Sequence, residues 1–290
     1  MDRIVYIADD READLHPPRN KGHEVMIYLT YIIDHYDSLP DTIIFIHAHR
    51  WTHHNIELLN HDSAEMIRRL SNEYVAREGY VNMRCQWYPG CPKWLNPNDT
   101  EEILGKQEQV VVSKSWHELF PPEVTPESLG QACCAQFAVS KDRILSIPLS
   151  RFIFYRDWIL KTPLSDFVSG RIWEYLWQYI FTGRSIHCPS EHACHCRGFG
   201  LCFGSEAKYR EYEELRHSKE MLEVELKEVR GRGEANQSEQ PIDSNLAKAD
   251  ISFSAKLLNL SVQVDILEQE LRERRLRVVQ SGTHPQNQIL

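Results

Sequence analysis

One short apolar segment, residues 42–47 (TIIFIH), constrains the fold of this chain more than any other part of the sequence. Its four consecutive apolar residues are typical of a strand that is buried on both faces, as in a parallel sheet covered by helices. On either side, residues 21–36 and 61–78 carry apolar residues three or four positions apart, which predicts amphipathic helices. This alternation predicts an α/β fold with a mostly parallel central sheet flanked by helices. Further strands are expected at 3–8, 110–112 and 136–140.

The composition changes near residue 204, which predicts two parts. Residues 1–204 are expected to form the α/β domain, which ends in a cysteine-rich segment at 185–204. Residues 205–290 are densely charged and are expected to form a helical tail with a polar linker at 231–244.

Apolar residues in the second half of the tail recur alternately four and three positions apart, which is the pattern of a heptad repeat. They are Phe253, Leu257, Leu260, Val264, Leu267, Leu271 and Val278. The pattern predicts a C-terminal coiled coil, either an amphipathic hairpin that folds back on its own globule or a zipper that joins two copies. Self-association through 205–290 is therefore one interaction that the sequence predicts.

Charge and hydropathy exclude two classes of protein. The 42 acidic residues outnumber the 33 basic ones, which argues against a nucleic-acid binder because such a protein needs a basic face. The longest apolar run, residues 25–33, is well short of the roughly 20 residues of a membrane-spanning helix. The start of the sequence shows no apolar leader, so the chain as written is expected to be soluble and cytoplasmic.

The cysteines point in a different direction. The chain has eight, and an even, clustered number is typical of the secretory pathway, which would require that the true N-terminus is missing. Cys188, Cys194, Cys196 and Cys202 lie in one short segment with three histidines and glycine turns. Their spacing, C-x5-C-x-C-x5-C, is not that of a standard zinc finger. Two short disulfides within the segment, one structural zinc ion and free thiols all remain open.

Motifs of the commonest enzyme classes are absent from the sequence. It contains no GxxxxGK[ST] loop, no GxGxxG, no HExxH and no GxSxG. These absences exclude the commonest nucleotide hydrolases, dehydrogenases, metalloproteases and esterases. Candidates for chemistry therefore come from three smaller groups of polar residues.

The first group is His47 and His49, at the end of the apolar strand. Side chains two residues apart on a strand point to one face, so the two imidazoles could bind a metal ion or an anionic group. Ligands of open α/β sheets bind beyond the C-terminal ends of the strands. A divalent metal is thus a candidate for an otherwise unknown cofactor. The alternative is that both histidines simply hydrogen-bond neighbouring loops.

The second group is the segment 20–24 (NKGHE), which begins the first long helix. Backbone N–H groups at a helix N-terminus bind anions, and Gly22 would let a ligand approach closely beside Asn20 and Lys21. Glu24 would repel a phosphate, so it is better suited to accept a hydrogen bond from a ribose or sugar hydroxyl. A capped helix with an acid in its first turn explains the same residues without a ligand.

The third candidate is Glu174, on a predicted helix rich in tryptophan and tyrosine. Burial among those side chains would raise the pKa of its carboxyl and suit it to act as a general base near neutral pH. The alternative is a glutamate on the exposed side of the helix.

Three blocks of the sequence resemble a widespread fungal family of unknown function. They are NKGHEVMIYLTYIIDHYDSLPDTIIFIHAHR at 20–50, CCAQFAVSKDRI at 133–144, and the stretch from RIWEYLWQYIFTG to CPSEHACHC. The resemblance covers nearly all of residues 4–204 and leaves out the coiled-coil tail. It implies a family but no known activity.

A more distant resemblance concerns the order of these blocks, which is similar to that of nucleotide-sugar glycosyltransferases with a single α/β domain. It implies that Glu174 deprotonates the acceptor hydroxyl and that the strand at 136–140 lies under the acceptor. Ligand-binding residues implied by the resemblance are Asn20, Gly22 and Glu24 near the nucleotide, and Gln136 and Ser140 near the acceptor. The metal-binding Asp-x-Asp of those enzymes is absent, and His47 and His49 occupy that kind of position.

The sequence therefore predicts an uncharacterised, glycosyltransferase-like enzyme that uses an activated sugar donor, such as a sugar nucleotide, and a hydroxyl acceptor. The alternative is a non-catalytic binding or assembly protein that oligomerises through its C-terminal coiled coil.

Overall fold

The structure of the protein is a computed structural model, which describes residues 3–99, 108–236 and 244–281. The chain divides into two compact units, an N-terminal unit, Met1–Phe199, and a C-terminal unit, Gly200–Leu290. The helices are α1 (Glu24–Asp34), α2 (Ser63–Arg69), α3 (Asn72–Glu78), α4 (Gln109–Leu119), α5 (Lys141–Leu145), α6 (Leu149–Lys161), α7 (Asp166–Glu174), α8 (Trp177–Thr182), α9 (Glu191–Ala193), α10 (Glu206–Asn236) and α11 (Ser244–Ser281). The strands are β1 (Thr42–Phe45), β2 (Tyr80–Asn82), β3 (Gly130–Gln131), β4 (Phe137–Ser140) and β5 (Ile186–His187). None of the described helices is both long enough and apolar enough to cross a membrane.

The main sheet has three strands, and its pairings are antiparallel. Strand β4 lies between β1 and β2, with Phe137 opposite Phe45 and Ser140 opposite Thr42. β3 and β5 form a separate, short parallel pair. The chain is a mixed α/β protein, but the prediction of a mostly parallel central sheet is wrong. An apolar run indicates that a strand is buried, whereas its direction depends on how distant segments pair.

An aromatic core lies between the main sheet and helices α1 and α8. The ring centroid of Phe137, on β4, is 5.1 Å from that of Phe45 and 5.0 Å from that of Trp177. On α1, the Tyr28 ring is 4.7 Å from the Phe45 ring, and on α8 the Phe181 ring is 5.5 Å from the Phe137 ring. Tilted aromatic pairs at these distances stabilise a core beyond the area they bury. The core therefore anchors α1 and β4 to each other.

Local capping decides where several helices begin. The Ser71 hydroxyl accepts a hydrogen bond from the backbone N–H of Tyr74 at 3.1 Å and so begins α3. The single helix expected at 61–78 is consequently divided into α2 and α3. Ser140 and Ser165 cap α5 and α7 in the same way.

Two of the expected strands are not strands. Residues 110–112 lie within α4, whose buried residues include Val112, Trp116 and Leu119, spaced four and three positions apart. Residues 3–8 pair with no strand of the described chain and are largely exposed. In both places the apolar run is too short to tell a strand from another structure.

All eight cysteines are in disulfides. Three of the bonds are Cys85–Cys194, Cys91–Cys188 and Cys133–Cys134. Cys196 and Cys202 are disulfide-bonded as well. The first two bonds join the loop after β2 to the cysteine-rich segment. Of the three alternatives left open by the cysteine spacing, the structure shows disulfides, but two short disulfides within the segment are wrong, because Cys188 and Cys194 bond to cysteines outside it.

Helices α10 and α11 of the C-terminal unit pack against each other as a helical hairpin, which confirms the predicted hairpin. Leu226 and Val229 of α10 and Leu260 and Val264 of α11 form its buried core. The interhelical ion pairs are Lys256 Nζ–Glu225 Oε1 at 2.8 Å and Arg274 Nη1–Glu211 Oε2 at 3.6 Å. Of the expected linker at 231–244, the first residues belong to α10, and 237–243 lie outside the described residues.

Candidate functional site

The start of α1 is held by a carboxylate from α7. Asp166 Oδ1 accepts hydrogen bonds from the backbone N–H groups of Gly22, at 2.6 Å, and His23, at 3.2 Å. Gly22 has a φ of 76° and His23 a φ of 52°, so the chain turns sharply before the helix. Gly170 lies one turn along α7 and makes room for the His23 ring, which a Cβ at this position would meet. These contacts determine where Glu24, the first residue of α1, lies.

A buried amide from the start of β4 holds the loop that follows β1. Gln136 Oε1 accepts a hydrogen bond from the backbone N–H of His47 at 3.0 Å. Its Nε2 donates to the carbonyl oxygen of His54 at 3.2 Å and to Asn55 Oδ1 at 3.0 Å. The two imidazoles are thereby brought together, with 3.2 Å between the Nδ1 atoms of His47 and His54.

Glu24 and His47 face each other across this site. Glu24 Oε1 is 3.9 Å from His47 Nε2, and the two side chains are only 21% and 20% exposed. The pKa of Glu24 is raised to about 7. Burial is the main cause, a backbone hydrogen bond opposes it, and the negative charges of Glu174 and Asp166 add to it. Burial, together with the neighbouring histidines, lowers the pKa of His47 to about 4. At neutral pH, Glu24 therefore titrates while His47 stays uncharged.

Glu174, the last residue of α7, is a second half-buried carboxyl at this site. Burial raises its pKa, the Arg171 guanidinium opposes that effect, and the Glu108 carboxylate adds to it. Burial raises the pKa of the Tyr28 phenol, and the charges of Glu24 and Glu174 raise it as well. The phenol therefore lies near both carboxyls. Its hydroxyl has no hydrogen-bond partner among the described residues. The site thus combines two carboxyls, a phenol and two neutral imidazoles.

An open cleft of about 460 Å³ adjoins the start of α1. Arg19, Asn20 and Lys21 line one side of it, and Thr162 and Asp166 line the other. The Lys21 ammonium donates to the carbonyl oxygen of Thr162. Burial and the nearby Arg19 charge lower the pKa of Lys21. Asp166 lines the cleft and also affects Glu24 electrostatically, so the cleft and the carboxyl pair are neighbours.

The structure brings some of the residues singled out by the sequence together and separates others. Glu24, His47, Gln136 and Glu174 surround one site, and Gly22 lies in the adjoining turn. Two more residues lie elsewhere: Asn20 lines the cleft, and Ser140 caps α5 at the far end of β4 from Gln136.

The two histidines of the HAH segment do not lie on a strand. β1 ends at Phe45, and His49 is exposed. The imidazole that contacts His47 is that of His54. Within the described ranges, no three histidine, cysteine, aspartate or glutamate side chains are arranged to hold a metal ion.

Sequence reasoning missed three residues of the site, His54, Tyr28 and Asp166. Tyr28 follows Glu24 by four positions in a predicted helix, so the helical period could have placed both on one side. Residue spacing does not predict where His54 and Asp166 lie. His54 is in a loop held by Gln136, and Asp166 is at the start of α7 and bonds to Gly22, so both positions depend on contacts with distant segments.

We expect Glu24 to make the protein less stable as the pH rises. Its pKa is raised from 4.5 to about 7, so folding favours the protonated carboxyl. The stabilisation is complete below pH 4.5 and is lost through pH 7, with an upper limit of about 3 kcal/mol. Urea unfolding of the wild type and of Glu24→Gln at pH 5 and pH 8 measures this change in the free energy of unfolding. Glutamine does not titrate, so the variant should lack the pH dependence that Glu24 contributes. Identical pH dependence in the two proteins would show that Glu24 titrates normally.

One family model matches the chain. A family model described as "Protein of unknown function (DUF3431)" matches residues 1–197, which include every residue of the site described above. No curated protein and no solved structure matches the chain. The match carries no evidence of fungal origin or of similarity to glycosyltransferases. Because the matched region covers well over half of the sequence, the chain belongs to the DUF3431 family of proteins of unknown function.

Proposed function

We propose that the N-terminal unit is a glycosyltransferase-like enzyme, which transfers a sugar from an activated donor to a hydroxyl acceptor. The observation that carries this proposal is the Glu24 carboxyl, whose pKa of about 7 allows it to gain and lose a proton at neutral pH. General acid–base groups work best when their pKa lies near the working pH. The proposal depends on these side chains and not on the direction of the strands.

The two carboxyls suit different roles. Burial raises the pKa of both carboxyls; the Arg171 guanidinium opposes this effect at Glu174, whereas the charge of Glu174 adds to it at Glu24. Two neighbouring carboxyls in different surroundings can supply one base and one acid at the same pH. We assign Glu174 as the base that removes the proton of the acceptor hydroxyl. Glu24, protonated for part of the time, donates a hydrogen bond to the sugar or leaving group.

The cleft beside α1 suits the anionic leaving group of a sugar nucleotide. Arg19 and Lys21 line it with positive charge, and so does Lys161, whose ammonium also pairs with Asp157; among the lining residues, Asp166 is the carboxylate. Cations that surround a phosphate stabilise both the bound donor and the charge that develops when the sugar leaves. Because Asp166 also borders Glu24, a donor bound there would place its sugar towards the carboxyl pair.

We expect sugar nucleotides to raise the melting temperature of the full-length protein. A ligand at a hundred times its Kd stabilises the native state by about 2.7 kcal/mol, which corresponds to roughly 5–10 °C here. A panel of sugar nucleotides, free nucleoside diphosphates and divalent metals would be tested by thermal unfolding. Lys21→Ala should reduce the shift, whereas Lys93→Ala, at an exposed lysine outside the cleft, should not. No shift with any compound at millimolar concentration would contradict the proposal.

A second candidate function, assembly through the C-terminal unit, is favoured by one observation. Helix α11 carries an outer apolar stripe, with Leu258 67%, Val262 46% and Ile266 62% exposed. Antiparallel pairing of α11 with α11 of a second copy about Val262 would place Leu258 opposite Ile266. The apolar side chains of the two copies would then cover each other, which suits self-association.

This second proposal predicts a dimer that surface charge disrupts. Leu258→Glu combined with Ile266→Glu should convert the dimer to a monomer, because in this register the new carboxylates of the two copies would face each other and repel across the interface. Light scattering of the full-length protein measures the mass. Val124→Glu, at an apolar residue that is 87% exposed in the N-terminal unit, is the matched control. A monomeric wild type would rule out this candidate.

A further inference from the structure

We infer that His47 and His54 form a proton relay that connects the Glu24 carboxyl to solvent. The inference rests on the proposed function, in which Glu24 is protonated for only part of the time and must therefore exchange its proton with water. A half-buried carboxyl such as Glu24 needs a route for this exchange when substrate covers it. Two neighbouring imidazoles supply such a route, since each ring can accept a proton on one nitrogen and release one from the other.

The first step of the relay joins Glu24 to His47. His47 Nε2 is buried and has no hydrogen-bond partner among the described residues, and it lies 3.9 Å from Glu24 Oε1. Contacts of catalytic groups are often this long before substrate binds, and a small movement or one bridging water closes the gap. An unsatisfied buried nitrogen that faces an acid is unusual, and a proton transfer between the two explains it.

The second step joins His47 to His54. Their Nδ1 atoms are 3.2 Å apart, with the two rings nearly perpendicular. Gln136 sets this distance, since its amide binds the backbone of both histidines. Gln136 is therefore a positioning residue for the relay. The outer end reaches the surface, because the half-buried His54 ring lies 4.2 Å from the exposed ring of His53.

The protons balance along this path. The Glu24 O–H bond breaks as an N–H bond forms at His47 Nε2, while His47 Nδ1 passes its proton to His54 Nδ1. His54 Nε2 then releases its proton to water, so Glu24 becomes a carboxylate and both imidazoles end neutral in the opposite tautomer. Neither ring needs to hold a charge. The neighbouring groups favour uncharged rings, because His23 and His49 lie near His47, and Arg84, His49 and His53 lie near His54.

The relay predicts that the tautomers of His47 and His54 change together when Glu24 titrates. Nitrogen-15 NMR of the histidine rings in the full-length protein, from pH 5 to pH 9, reports which ring nitrogen carries the proton. We expect one shared transition near pH 7 between two neutral tautomers. Glu24→Gln should abolish the transition, and Gln136→Ala should uncouple the two rings. His117, on α4 outside the site, is the internal control.

Several outcomes would overturn the relay. One is that His47 keeps a single tautomer across the range while Glu24 still titrates near pH 7, which would leave the proposed function standing. Another is that both rings become charged imidazolium near pH 6. A third is that one equivalent of Zn²⁺ shifts both Nδ1 signals, which would make the pair a metal site instead. A Glu24 that titrates at its ordinary pKa would contradict the proposed function as well.

Discussion

Replacement of Glu174 by glutamine is expected to lower turnover by about 10²–10⁴-fold, the usual contribution of a general base. Glutamine has nearly the same shape as glutamate but cannot remove a proton from an acceptor hydroxyl. Donor binding should remain, because the cleft residues Arg19 and Lys21 are unchanged. The measurement is the rate of transfer, or of donor hydrolysis, with whichever sugar nucleotide raises the melting temperature.

Two further variants make this experiment decisive. Glu24→Gln should lower turnover and remove its pH dependence near neutrality, because the group whose pKa is about 7 is then absent. Glu127→Gln, at an exposed glutamate away from the site, should leave turnover unchanged. Unchanged turnover in Glu174→Gln would remove Glu174 from the mechanism, whatever the result for Glu24.

The second large effect concerns the disulfide between Cys91 and Cys188, which closes a loop with a sequence separation of 97 residues. Because the Cys85–Cys194 bond joins the same two segments, the ring that Cys91–Cys188 closes in the unfolded chain runs only through residues 85–91 and 188–194, and the chain-entropy description assigns a ring of that size about 3 kcal/mol. Cys91→Ala combined with Cys188→Ala should therefore lower the melting temperature by roughly 6–12 °C. Both cysteines are half-buried, so the packing loss from the missing sulfur atoms is small.

The bond between Cys133 and Cys134 is the matched control for this prediction. Its cysteines are adjacent, with a sequence separation of 1, so it closes almost no loop. Cys133→Ala combined with Cys134→Ala should therefore cost much less stability, although both residues are buried. Equal losses for the two pairs would show that the stabilisation comes from local packing and not from loop closure.

Much of the local structure follows from short stretches of sequence. The helical period at 21–36 predicts α1, and the segment at 136–140 predicts β4. The heptad spacing in 253–278 predicts the side of α11 that packs against α10. In each case the pattern acts through neighbours a few residues apart, so no distant contact is needed to recognise it.

The direction of the strands and the partners of the site do not follow from such patterns. β1 runs antiparallel to β4 because residues nearly a hundred positions apart pair with each other. Asp166 reaches Gly22, and His54 reaches His47, only after α7 and the loop beyond β1 have packed. Residue type and spacing were therefore enough to identify Glu24 and Glu174, but not to identify Asp166 and His54 beside them.

Local sequence patterns located α1, β1 and β4 and identified the residues that carry groups able to do chemistry, but they did not give the structure of residues 3–8 and 110–112 correctly. The tertiary structure decided how those segments pair, which cysteines bond, and which polar groups are buried together. The physical reason is that a pKa such as that of Glu24 depends on burial and on the charge of Glu174, two effects that arise only when α1 and α7 pack.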